Sequence, residues 1–116
     1  MVLVSDYRSL IVWQKAIEVV LIIYKITSNF PKEEQFGLIS QMRRASVSIP
    51  SNIAEGSRRS KTERIHFLRI AFGSASELET QIEISKRLGF IKTTEDEKLT
   101  VLLVEVLKML NKMIHY

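Results

Sequence analysis

The chain has 116 residues, 46% of them hydrophobic and 26% charged, with 4 Gly, 2 Pro and no Cys, proportions that suit one domain over 1–116 and exclude a disulfide scaffold, a thiolate metal site and a disordered tail. The longest unbroken apolar run, Val19 to Tyr24, is six residues, far short of the ~20 that span a bilayer. Lys and Arg total 17 against 13 Asp and Glu, a formal +4 with a pI near 9.5, which permits a polyanionic partner without demanding one.

The N-terminal Met1-Val-Leu-Val-Ser-Asp6 lacks the basic start and longer apolar stretch of a secretory signal, so the expected location is cytoplasmic. The first helix follows from Leu10, Trp13, Ile17, Val20, Leu21 and Tyr24, which recur at helical spacing. Its polar residues Gln14, Lys15, Glu18 and Lys25 fill a wedge of only about 100°, and apolar side chains cover most of the remainder. One bundle cannot bury all of that surface, so helix 1 is expected either to make an oligomer contact or to be a central helix with scattered exposed isoleucines.

Pro31 separates helix 1 from helix 2, whose apolar series is Phe36, Ile39, Met42, Ser46, Ile49 and Ile53. Pro50 lies inside it, removing one amide donor and crowding the Ser46 carbonyl, so a kink is expected rather than a break. Helix 3 carries Leu68, Ala71, Phe72, Ala75, Leu78 and Ile82, starts at the capping box Ser60-Lys-Thr-Glu63 and stops at Lys86-Arg87-Leu88-Gly89-Phe90, where two cations suit the dipole and Gly89 suits a left-handed turn. Helix 4 carries Leu99, Leu102, Leu103, Val106, Leu110 and Met113 and is predicted to start at a second box, Thr94-Glu-Asp-Glu97. Ala45, Ser46 and Ser48 are expected to face Ala71, Gly73, Ser74 and Ala75 across the tightest contact. Short connections between four such helices imply an all-α, antiparallel up-down-up-down four-helix bundle.

The signatures of enzymes are absent: no Gly-rich phosphate loop, no nucleophile elbow, no His-Glu-x-x-His and no cysteine nucleophile. Glu63-Arg-Ile-His66 matches half of a di-iron bundle's ligand pattern, but Lys112 stands at the matching spacing before His115, so no metal, cofactor or catalytic residue is assigned. Glu79 falls within the apolar stripe of helix 3, where a charge needs a partner, and Arg43 at the edge of helix 2 is expected to supply it as a structural ion pair. Between Arg43 and Arg69 the chain holds seven basic residues, Arg43, Arg44, Arg58, Arg59, Lys61, Arg64 and Arg69, against Glu55 and Glu63. If helix 2 continues through Pro50, its four arginines share an arc of about 160°, and the rest extend the patch onto helix 3. Guanidinium forks suit phosphate oxygens, but no series of stacking aromatics alternates with the basic residues, so recognition of single-strand bases is not implied.

At these same residues the sequence resembles a known family. Val12-Trp-Gln-Lys-Ala16, Phe36-Gly-Leu38 with Gln41, Arg43-Arg-Ala45, Ser48-Ile49, Asn52-Ile-Ala-Glu-Gly56, and Gly73-Ser74 with Glu77-Leu-Glu-Thr-Gln81 are similar to the small bacterial four-helix-bundle proteins encoded by intervening sequences within 23S ribosomal RNA genes. Those are similar in turn to the accessory variability determinant of diversity-generating retroelements, a basic pentameric barrel. The resemblance implies a homopentamer with an RNA- or DNA-related role. The expected function is therefore a non-enzymatic homo-oligomeric bundle that binds structured nucleic acid through those seven basic residues at the helix 2/helix 3 turn. The alternative is an oligomeric adaptor that engages a protein partner and uses the same arginines for intersubunit ion pairs.

Overall fold

The computed structural model describes residues 6–116. Four helices follow one another, α1 (Ile11–Thr27), α2 (Leu38–Ser57), α3 (Lys61–Arg87) and α4 (Thr93–Ile114), forming a rod of 49 × 24 × 20 Å. Each helix packs on its sequence neighbours and α1 closes against α4, leaving α1/α3 and α2/α4 on the diagonals. Cross-helix bonds fix the antiparallel sense: Ser48 Oγ meets Ser74 Oγ at 2.8 Å and Ser85 Oγ donates to Met42 Sδ at 3.4 Å. Lys15 of α1 reaches Glu105 of α4 at 3.0 Å. The topology is therefore the up-down-up-down bundle that the helical periodicities imply, and among the described residues no helix is long and apolar enough to cross a membrane.

The predicted apolar stripes of α3 and α4 are the ones buried, with Leu78, Leu99, Leu103, Val106 and Leu110 wholly enclosed. In α2 the series holds from Met42 to Ile53, but Phe36 is 91% exposed. It precedes the helix, because a 3₁₀ turn at Lys32–Glu34 intervenes and the Glu34 carboxylate accepts from the Leu38 amide, capping α2 there. The larger correction concerns α1. Its buried apolar set is Val12, Ala16, Val19, Ile23 and Ile26, offset by roughly 130° from the series Leu10, Trp13, Ile17, Val20, Leu21 and Tyr24. A helix apolar nearly all round carries more than one stripe of helical spacing, and periodicity does not say which one faces the core.

Both ends of α3 are built as the sequence implies. Ser60 caps its first turn, accepting from the Glu63 amide. At the other end Gly89 adopts φ +80°, the Phe90 amide donates to the Ser85 carbonyl and the Gly89 amide to that of Lys86, the paired bonds of a Schellman stop. Phe90 then packs on Phe30 with ring centroids 5.3 Å apart. The expected Thr94–Glu97 box does not form. α4 begins two residues earlier, and Glu95 reaches back to the Lys92 amide at 3.3 Å. Glu97 is left exposed, while Asp96 turns inward to accept from Thr100 and from Lys86 at 2.9 Å.

α2 runs through Pro50 without a break. Its contact with α3 is the most extensive in the molecule and is lined by Ala45, Ser46, Ala71 and Ala75, all buried. Gly73 does not belong to it: the residue faces outward, and a Cβ there would meet nothing within 4 Å. The glycine that matters is Gly56, where a Cβ would lie 3.1 Å from Phe67 Cβ and 3.3 Å from the Arg64 carbonyl. Gly56→Val is expected to push the end of α2 off the start of α3 and cost about 1–3 kcal/mol, read as a lower denaturant midpoint.

Asp96 also sets a pH dependence. Its hydrogen bond to Lys86, and then its charge, hold the ammonium pKa above the ordinary 10.5. A raised cation pKa stabilises the folded chain in full below the ordinary value and loses that contribution as pH climbs through the raised one. Lys86→Met is therefore expected to melt below the wild type near pH 8, with the gap closing as pH climbs above the ordinary 10.5.

Candidate nucleic-acid interface

The three-residue connection Arg58–Ser60 joins α2 to α3, and the tight seat of Gly56 on Phe67 keeps its arginines at the tip of the rod. Arg58, Arg59, Lys61 and Arg64 are all exposed there, and Arg69 follows on the outer side of α3. Their engagements differ. Arg59 is held by an ion pair to Glu55, which raises its pKa further, and its guanidinium lies 5.4 Å from the Phe67 ring centroid. Arg58 stands 5.4 Å over the Tyr7 ring. Lys61, Arg64 and Arg69 form no ion pair among the described residues.

Because the chain makes four antiparallel passes, the start of α1 and the end of α4 share this tip. A cavity of about 130 Å³ there is lined by Leu10 at the N-cap of α1 and by Ile53, Ser57, Arg64, Leu68 and Met113 of the other three helices. Arg8 and Lys112 are consequently two further cations of the same end, both exposed. Arg8 pairs with Asp6 at 3.2 Å; the Arg8 amide, and then the Arg8 side chain, hold the Asp6 carboxyl below its ordinary pKa. These two residues lie far from the basic stretch in sequence. The even number of helices was the signal that could have placed them. Tyr7 and Trp13 pack edge to face at 5.4 Å beside Arg58, so these two aromatics join Phe67 among the cations in space.

Two members of the expected patch are elsewhere. Arg43 and Arg44 precede Arg58 on α2 by 15 and 14 residues, about 20 Å along the axis, so a shared arc on the wheel does not make a shared surface. Arg43 is half-buried, donating to Thr27 Oγ1 at 2.9 Å and to the Tyr24 carbonyl at 3.3 Å, with its guanidinium 4.5 Å over the Tyr24 ring. Its expected partner Glu79 is exposed and makes no ion pair among the described residues. The Arg43–Glu79 pair is thus not formed: Glu79 sits beyond the edge of the buried stripe, and water removes its need for a cation. Glu79→Gln should leave the melting temperature unchanged, whereas Arg43→Ala should cost about 1–2 kcal/mol through the lost Thr27 and Tyr24 contacts.

A second surface adjoins the tip. Between α1 and α2 runs a shallow apolar groove, lined near the tip by Trp13, Ile17, Val20, Val47, Pro50 and Ala54 and continuing past Val47 to Tyr24, Phe36 and Ile39. This is the outward stripe of α1. His66 lies exposed on α3 with its ring edge on Phe67, and among the described residues no three His, Asp or Glu side chains cluster as metal ligands.

The family model described as 23S rRNA-intervening sequence protein matches residues 8–112. A crystal structure of a protein of unknown function from the S23 ribosomal protein family of Bacteroides thetaiotaomicron superposes with a TM-score of 0.81 at 28% identity, covering 91% of this chain and 100% of that one. Among curated proteins, none matches this chain in sequence.

Proposed function

The chain belongs to the 23S rRNA-intervening sequence protein family, and from that premise we propose that it is a non-enzymatic, self-associating helical bundle whose basic tip grips the phosphate backbone of structured RNA or DNA. The observation that carries this reading is the crowding of Arg58, Lys61, Arg64 and Lys112, none of them in an ion pair among the described residues, onto one end of the rod. Exposed cations on a rigid end suit contacts that position a backbone without reading sequence. Arg59 joins them at a cost, since Glu55 competes for its guanidinium. Arg69 extends the surface along α3. Arg43 and Arg44 are left out of this surface by their distance from it.

If about four phosphates are neutralised, the association constant should fall about 100-fold between 50 and 200 mM salt, read by mobility shift on a duplex RNA or DNA probe. Arg58→Glu with Arg59→Glu should abolish retention while the helical circular dichroism stays intact. Glu55→Gln, which releases Arg59, should tighten it. Binding that ignores salt, or survives the double substitution, would reject the phosphate-contact reading in favour of an adaptor for a protein partner, the function favoured by the apolar groove.

A further inference from the structure

The α1/α2 groove is lined by uncharged and basic side chains only: Arg43 and Arg44 stand at its Tyr24 end, and neither half contains an Asp or Glu. Val47 is 40% and Tyr24 42% exposed. The groove thus offers partly exposed apolar side chains beside two cations, with no acid to balance them.

The outward side of α3 has the opposite relief. Ile70, Glu77, Ile84 and Leu88 fall within about 40° of one another on its wheel, with Gly73 about 20° beyond. The three apolar members are 39%, 44% and 54% exposed. Gly73 has open space where a side chain would be, so another helix can come close at that point. Glu77 is exposed and unpaired among the described residues, as is Arg44. From Ile70 to Ile84 the ridge runs about 21 Å, and from Trp13 to Tyr24 the groove runs about 16 Å.

We infer that the groove between α1 and α2 is filled by the α3 ridge of a second copy of this chain, with Glu77 of that copy set against Arg44. The pairing rests on the self-association proposed above and names its two faces. It is a contact between unlike surfaces, so it propagates from copy to copy and closes into a ring or runs on as a filament. A two-fold contact of groove on groove is disfavoured by the charges. With the copies parallel, Arg44 would face Arg44; with them antiparallel, it would face the end that carries Arg58. The ridge supplies the carboxylate that the groove lacks.

Light-scattering mass with circular dichroism on the full chain tests this. Wild type should be multimeric. Arg44→Glu and Glu77→Arg should each fall to the single-chain mass of 13.4 kDa with helicity intact, and the two substitutions combined in one chain should restore the multimer. Gly73→Leu, at a position open within the protomer, should also disperse it. A multimer indifferent to Glu77→Arg and Gly73→Leu would overturn these faces while leaving self-association standing. Wild type at the single-chain mass would overturn both. Duplex retention by each variant is scored separately, because neither residue belongs to the basic tip.

Discussion

The close approach of α2 and α3 is the constraint from which the remaining geometry follows. Alanines and serines along the seam, and Gly56 at its end, bring the two axes near enough that a connection of three residues suffices. A connection that short cannot fold back over the tip, so Arg58 and Arg59 project from it. The Ser48–Ser74 bond, with Asn52 donating to both oxygens of Ser48, fixes the slide of one helix along the other. In this way polar bonds at the margin set the register, and apolar burial supplies most of the stability.

Most of the fold was legible because the signals were local and redundant. The stripes read for α3 and α4 are the ones that face the core, and Ser60 and Gly89 announce where α3 starts and stops. The failures have physical causes. α1 is apolar on two faces, so its core stripe could be chosen only with its neighbours in place. In α4 the expected Glu97 stayed exposed; Asp96 turned inward to Lys86 and Thr100, and Glu95 capped by accepting from the Lys92 amide instead. The Arg43–Glu79 expectation failed because the edge of a helix stripe is already wet. Of the candidate site, the turn cations were visible in sequence, but the grouping was wrong at both ends. Wheel angle was mistaken for proximity at Arg43 and Arg44. Arg8 and Lys112 were missed because only the path of the chain brings the two termini together.

The surface divides its labour by position. Excess positive charge collects at one tip, where α1 and α3 begin and α2 and α4 end, whereas much of the unburied apolar area lies along the flank. Electrostatic attraction to a polyanion acts over roughly a Debye length of 8–10 Å, while apolar docking needs contact. Arg44, about 20 Å from the tip, is therefore beyond the reach of a phosphate held at Arg58. In the proposed assembly each copy keeps its tip accessible while its flank is covered.

The links of the bundle are three residues between α2 and α3, five between α3 and α4, and ten between α1 and α2, so nearly every helix packs against the segment just before it. Chains wired this locally lose little entropy in closing each loop and reach the native state in microseconds to milliseconds. Subunit assembly in general takes milliseconds to minutes and depends on concentration. In the proposed assembly each copy would therefore complete its own core before it meets another, with no helix left to exchange.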